Sequence, residues 1–323
     1  MADTKSNRIL LQVQRTRDLS AWVREYELFS LDGSILIPYE AGAHIDLHVP
    51  GIGNRQYSLV QMSRPGAPYV VAVQREDTGR GGSTWIHANL EVGGVVEAGG
   101  PRNHFPLLDA PHTLLIAGGI GLTPLMCMAE TCEALGRSWH LVVCGRDEGR
   151  LIFVEELLGP KNHGQARFVL DGGDPTKGLD IAALLAGQPA GTRVYCCGPD
   201  GLMGAVREAG KDLAGIEMHF ESFGAAAAPL ADDADCGPFS VECVRSGVTV
   251  EVPDWKSVLD ALLEAGIDVD HSCREGYCGT CLTRWSSGDP VHRDTCMTDA
   301  ERARYVAVCT SRARTGSNLV LDL

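Results

Sequence analysis

Hydrophobic and polar positions change rhythm twice along this chain. From about Leu10 to Pro101, short runs at 10–14, 22–28, 44–49 and 69–74 alternate or stay apolar, with glycine and proline between them. A period of two bounded by turn residues predicts β-strands, and several such strands in succession predict a small antiparallel β-barrel. One helix is predicted inside this region, over 84–90. From about Phe105 to Phe223 strands and helices take turns. Continuous apolar runs at 113–117, 140–144, 166–170 and 192–196 read as buried strands, and 125–135, 153–158 and 181–185 read as helices. That alternation predicts an α/β domain built on a parallel sheet covered on both faces.

Residues 224–235 are small, polar and low in complexity, which is linker composition. Beyond them, 239–244 and 249–252 predict a hairpin, and Ser257 caps a predicted helix over 258–264. The boundaries drawn are therefore a barrel domain at 1–104, an α/β domain at 105–224, a linker at 225–236 and a smaller α+β domain at 237–323.

A length of 323 residues suits two or three domains. The formal net charge of -14 argues against nucleic acid or an anionic membrane surface as partner. The chain does not open on a basic segment followed by an apolar run, and its most apolar stretch, 113–129, is interrupted by Gly118, Gly119, Gly121 and Pro124. The expectation is a cytoplasmic protein with no membrane span.

Twelve cysteines in a reducing compartment need another explanation than disulfides. Cys273, Cys278 and Cys281 stand as C-x4-C-x2-C, and Cys309 follows in an apolar run. This is the plant-type spacing for a 2Fe-2S cluster. Thiolates suit soft iron, and Gly276 and Gly279 let the backbone wrap closely around inorganic sulfide. Structural zinc is the competing reading, but zinc sites usually show two knuckle-like pairs and only one C-x2-C is present. Cys296 competes with Cys309 as fourth ligand. It sits among His292, Arg293, Asp294 and Thr295, a polar stretch that suits a loop thiol, and that stretch has no assigned role.

Gly118, Gly119, Gly121, Thr123 and Pro124 join a predicted strand to a predicted helix. Glycines let a backbone approach a pyrophosphate, Thr123 is expected to cap the helix, and free N–H groups at its start favour an anion. A tight structural turn explains the same residues. Cys197, Gly198 and Pro199 form a second turn after a later strand, so both turns border one crevice if the sheet is parallel. Arg146, just after a strand, suits a ribose or phosphate, or simply solvent. In the barrel, Arg55, Gln56, Tyr57 and Ser58 begin a strand; an arginine meets a phosphate, while tyrosine and serine edge an isoalloxazine ring. Gly79, Arg80, Gly81, Gly82 and Ser83 make a second anion cradle ahead of the barrel helix.

Taken in order with 219–224 (His-Phe-Glu-Ser-Phe-Gly) and the cysteine cluster, these motifs resemble the phthalate dioxygenase reductase family, which includes the reductases of vanillate demethylase systems. The resemblance covers nearly the whole chain. It implies an FMN-binding barrel, an NADH-binding domain and a C-terminal plant-type ferredoxin domain of β-grasp type. Arg55, Tyr57 and Ser58, with Gln56 between them, resemble the family's FMN contacts, and Gly81, Gly82 and Ser83 its FMN-phosphate loop. Phe223 looks like its aromatic residue near the flavin. FMN over FAD rests on the resemblance, and Arg146 leaves NADPH open beside NADH. The implied activity is an electron relay from NADH to a Rieske-type aromatic oxygenase or demethylase, with a cytochrome P450 or di-iron hydroxylase as alternative acceptor. A redox sensor is the reading of another class. No proton-transfer residue is nominated, and the chain is expected to act as a monomer.

Overall fold

The protein is described from a computed structural model that covers residues 8–79, 81–159, 165–223, 236–271, 274, 276 and 279–323. It divides into two compact units, Met1–Glu221 and Ser222–Leu323. Segment 225–235 of the expected linker, together with Gly224, lies outside the described residues, as do Arg80, Cys273 and Cys278.

The first unit opens with β1 (Arg8–Asp18), β2 (Val23–Ser30), β3 (Ala43–Val49), β4 (Gly53–Ser58), β5 (Tyr69–Gln74), helix α1 (Gly82–Asn89), β6 (Val95–Gly99) and β7 (Arg102–Asn103). These strands form one antiparallel sheet in the order β4-β3-β6-β1-β2-β5, with β7 on β3. Its two ends meet where Leu59 bridges Val71, and Val60 N–H donates to the Val70 carbonyl at 2.9 Å. Closure removes the exposed edges that would otherwise pair with other chains. Alternation along β3 sends Ala43, Ile45, Leu47 and Val49 into the barrel core. His44 and Asp46 point the other way yet are also buried, satisfied by Gln56 and Arg102 respectively.

The same unit continues with β8 (His112–Gly118), α2 (Leu122–Ala134), β9 (Trp139–Gly145), α3 (Val154–Leu158), β10 (Ala166–Leu170), α4 (Ile181–Ala186), β11 (Thr192–Cys197), α5 (Asp200–Gly210) and β12 (Ile216–Glu221). All five strands are parallel, in the order β10-β9-β8-β11-β12. Leu115 and Ala117 of β8 face α2, while Leu114 and Ile116 face α4 and α5. Strands buried on both faces explain the continuous apolar runs in the sequence. Val60, Val70 and Ala72 of the barrel share one core with Leu122, Leu125 and Met128 of α2, so barrel and parallel sheet are held by a common apolar contact.

The second unit has β13 (Phe239–Cys243), β14 (Val248–Val252), α6 (Val258–Glu264), β15 (Leu282–Ser287), β16 (Pro290–Val291), α7 (Asp299–Arg302), β17 (Tyr305–Ala307), β18 (Arg312–Ala313) and β19 (Asn318–Leu321). Its main sheet runs β14-β13-β19-β15-β17, with β19 parallel to β13 and α6 packed over the hairpin side, a β-grasp arrangement. Ser257 caps α6 as expected, its hydroxyl accepting from Asp260 N–H at 3.0 Å.

Several expectations are corrected. The Arg55–Ser58 motif finishes β4 instead of beginning a strand. Helix α2 starts at Leu122, three positions before the helical spacing becomes visible, because a 3-10 turn over Gly119–Gly121 leads into it. Strands β6 and β12 and helix α5 carry weaker sequence signals and were not anticipated.

Arg312 is only 3% exposed and donates to the carbonyls of Gly237 (2.9 Å), Pro253 (2.9 Å) and Lys256, while its guanidinium stacks on Phe239. A fixed planar fork satisfies several acceptors that an ammonium cannot. Arg312→Lys is expected to destabilise the second unit by about 3 kcal/mol, measured by urea unfolding; a midpoint equal to wild type contradicts this role.

Candidate functional site

The carboxyl ends of β8 and β11 lie side by side, with Ala117 opposite Cys197. Strand order reverses between them, which is the position where open parallel sheets bind ligands. The turns leaving these strands touch through bare backbone. A Cβ on Gly121 would stand 2.3 Å from the Cys197 carbonyl oxygen, and one on Gly198 would stand 2.9 Å from Gly118 Cα. Helix α2 follows one turn and α5, beginning just after Pro199, follows the other. Two helix starts thus open at one level beside a glycine surface, a setting for a pyrophosphate.

Thr123 does not cap α2. It is buried inside the first turn, and its hydroxyl donates to the Ile120 carbonyl at 2.9 Å. The N-cap position belongs to Gly121, which offers no side-chain acceptor; the Leu122 N–H is taken by the Gly119 carbonyl and Pro124 has none. Gly119 takes a left-handed φ of 55° in the same turn. Arg146 is exposed just past β9, and among the described residues its side chain forms no ion pair.

The barrel contributes a second cradle. Gly81 is left-handed (φ 79°) at the N-cap of α1, and no side chain caps that helix. The Arg55 side chain lies directly across Gly82, where a Cβ would be 2.7 Å from Arg55 Cγ. A guanidinium and a helix start therefore share one corner, where both favour an anion. Ser83 closes the loop, its hydroxyl accepting from Glu76 N–H at 3.0 Å. Tyr57 shares the strand face of Arg55, and burial pushes its phenol above the usual tyrosine range. Gln56 turns its side chain to the opposite face of the strand, with Nε2 3.0 Å from Nε2 of His44. Burial holds His44 down to about 3, so the imidazole is neutral and can accept that bond.

Ser58, the last residue of β4, reaches the parallel sheet. Its hydroxyl donates to Glu221 Oε2 at 3.5 Å, and Glu221 pairs in register with Cys197 at the ends of β12 and β11. Burial lifts the Glu221 carboxyl to about 8, with the Ser58 bond opposing, and lifts the Cys197 thiol well above its usual value. Hydroxyl, thiol and protonated carboxyl thus converge where the Arg-x-Tyr-Ser strand meets the crevice between the ends of β8 and β11. The sequence reading missed Glu221. Its signal was a lone carboxylate ending a strand beside Phe220 and Ser222, which nothing in the pattern separates from a solvated strand end. Phe223 stands two residues past β12 and is 38% exposed.

In the second unit Cys281 and Cys309 are 3% and 6% exposed within one apolar core. Leu282 pairs with Ala307, and Val308 N–H donates to the Cys281 carbonyl at 3.5 Å, which sets the two cysteines at neighbouring strand ends. Gly276, between Cys273 and Cys278 in sequence, is left-handed (φ 76°) and packs against Thr310, next to Cys309. Dry soft donors beside a glycine-bounded loop fit an iron–sulfur cluster. Cys296 lies half-buried at the edge of the same core.

A closed antiparallel barrel sharing a core with a switch-point parallel sheet, together with a thiol-bearing β-grasp unit, defines the class of flavin and iron–sulfur reductases. Residues 241–314 match the model of the 2Fe-2S iron-sulfur cluster binding domain. The chain is 43% identical to the vanillate O-demethylase oxidoreductase of Pseudomonas sp. (strain HR199 / DSM 7063), over 92% of this chain and 94% of that one. It resembles the solved structure of phthalate dioxygenase reductase, described as a modular structure for electron transfer from pyridine nucleotides to 2Fe-2S, with a TM-score of 0.74, 36% identity and 100% coverage of both chains. It also resembles an intact type IV self-sufficient cytochrome P450 monooxygenase (TM-score 0.86, 34% identity), covering 98% of this chain but only 41% of that one. The chain belongs to the phthalate dioxygenase reductase family and is an oxidoreductase. Among the described residues no helix is long and apolar enough to cross a membrane.

Two predictions follow from this geometry. Gly121→Ala pushes a methyl into the Cys197 carbonyl and is expected to abolish nucleotide binding while the second unit unfolds as in wild type; retained binding, read by calorimetry, contradicts the close approach. Glu221 ionises from an ordinary value of 4.5 when unfolded but only near 8 when folded. The unfolded chain therefore carries fewer protons across that window, and this group makes stability fall as pH rises through it. Urea midpoints from pH 5 to 9 are expected to fall less steeply in Glu221→Gln; parallel curves for variant and wild type contradict the buried carboxyl.

Proposed function

We propose that this protein is the reductase component of a multicomponent oxygenase, taking electrons from NADH and delivering them singly to a Rieske-type aromatic oxygenase or demethylase. The observation that carries the reading is the meeting of Ser58 with Glu221 beside Cys197, which joins the Arg-x-Tyr-Ser strand to the nucleotide crevice within one compact unit. When bound, FMN and the 2Fe-2S cluster supply the conversion from a two-electron donor to one-electron output.

The protein's own part is to bind, orient and exclude water. Arg55 and the N–H groups at Gly81, Gly82 and Ser83 hold the FMN phosphate, and Tyr57 lies along the isoalloxazine edge. Gly119, Gly121, the N–H of Thr123 and the turn at Cys197, Gly198 and Pro199 hold the NADH pyrophosphate, with Arg146 at the outer rim. Ser58 and Glu221 would offer a hydroxyl and a protonated carboxyl to the flavin and nicotinamide when these are bound, and Phe223 is the aromatic expected to serve the flavin. Cys273, Cys278, Cys281 and Cys309 ligate the cluster; Cys309 takes the fourth place over Cys296 because it sits beside Val308, whose N–H is bonded to the Cys281 carbonyl. The protein works in the cytoplasm as a monomer.

A cytochrome P450 as acceptor is the second reading, favoured by the likeness to the reductase-sized share of the self-sufficient P450. Turnover with each class of purified oxygenase separates the two. The cluster's place in the relay is tested by Cys278→Ser. This variant is expected to keep wild-type reduction of its flavin by NADH and to lose oxygenase reduction; undiminished oxygenase reduction contradicts the relay.

A further inference from the structure

His292, Arg293 and Asp294 have no part in the sites above. Asp294 lies between β16 and α7 with no exposed side-chain surface. A carboxylate so placed is costly unless its lone pairs are met. Met297 N–H donates to Oδ2 at 3.1 Å, and Arg302 Nη2 donates to the Asp294 carbonyl at 2.8 Å and to Oδ2 at 3.4 Å. His292 Nδ1 stands 3.7 Å from Oδ1, beyond hydrogen-bond distance, so among the described residues Oδ1 is left without a hydrogen bond. These partners close residues 294–297 into a turn and fasten it to α7.

The cysteine loop leans on that turn. Thr295 N–H donates to the Gly276 carbonyl at 2.9 Å, and Gly276 approaches so closely that a Cβ would lie 3.1 Å from Asp294 Cα and 2.7 Å from Thr310 Oγ1. Gly276 is thus held between the Asp294 turn and the residue after Cys309. Met297, the other end of the turn, packs in the same core as Cys281 and Cys309.

We propose that Asp294 is a positioning residue for the iron–sulfur cluster, its buried carboxylate fixing the turn that sets the path of the loop carrying Cys273 and Cys278. The inference rests on the reading of this unit as a 2Fe-2S domain. How closely a loop wraps its sulfides governs both retention and potential of a cluster, so groups behind the ligands tune it. Asparagine can accept the Met297 bond but lacks the charge that strengthens the bond from Arg302.

The test uses the full-length holoprotein. Wild type is compared with Asp294→Ala, Asp294→Asn, Arg302→Gln and, as a control for general weakening, Val250→Ala at the far edge of the sheet. Three quantities are read: half-time of iron release to a chelator, midpoint potential of the cluster, and the EPR spectrum of the reduced cluster. Asp294→Ala is expected to release iron about tenfold faster with a shifted potential and altered EPR line shape. Asp294→Asn and Arg302→Gln should fall between it and wild type. Val250→Ala should lower the melting temperature yet keep the wild-type potential and spectrum. Wild-type potential, spectrum and iron release in Asp294→Ala overturn the proposal. If Asp294→Ala takes up no cluster, Arg302→Gln decides: a shift supports the proposal and wild-type values overturn it. Iron-free wild-type protein defeats the 2Fe-2S reading itself, and the proposal with it.

Discussion

Where β8 and β11 end, two turns meet backbone to backbone, Gly121 on the Cys197 carbonyl and Gly198 on Gly118, with the Pro199 ring and the Leu202 side chain packed close over Gly118. The contact sets how closely α2 and α5 begin to each other. It also fixes Cys197, and through strand register Glu221, at the level that the end of β4 reaches from the barrel. A side chain in either turn would spread the strand ends and separate the crevice from the Arg-x-Tyr-Ser strand. Both candidate sites of the first unit depend on this one close approach.

Two titratable side chains of the first unit, His44 and the half-buried Glu221, are neutral at neutral pH. Burial holds His44 down to about 3 and Glu221 up to about 8. A low-dielectric place penalises whichever form is charged, and here it leaves an uncharged acceptor and an uncharged acid. The Arg55 guanidinium, reaching from β4, stands beside the start of α1. In the second unit the buried Asp294 and Arg312 fasten loops through hydrogen bonds instead of lining a crevice.

Much of this was legible in the sequence, for identifiable reasons. Strands buried on both faces appear as unbroken apolar runs, so β8, β9, β10 and β11 were readable within a residue or two. The cysteine spacing pointed to the 2Fe-2S domain that residues 241–314 match. Positions that depend on tertiary contact were not. Helix α2 begins in a glycine-rich 3-10 turn that carries no helical spacing, so Thr123 was misread as its cap although its hydroxyl turns back to Ile120. Gln56 belongs to a strand motif whose residues alternate between two faces, and adjacency in sequence hid that it faces His44. Glu221 acquires its raised ionisation only by burial against Ser58 and Cys197, strands far away in the chain. Asp294 was singled out but had no role until Gly276 was seen to lie against it.

The central claim is that one chain carries both a flavin and a 2Fe-2S cluster reducible by NADH. The visible spectrum of anaerobic purified protein before and after NADH, with acid release of the flavin, tests it most directly. Flavin bands and a broad iron–sulfur absorbance, both bleached by NADH, with FMN in the acid supernatant, are the predicted result. Flavin bands that NADH bleaches in iron-loaded protein showing no iron–sulfur absorbance contradict the account and leave a simple flavin reductase.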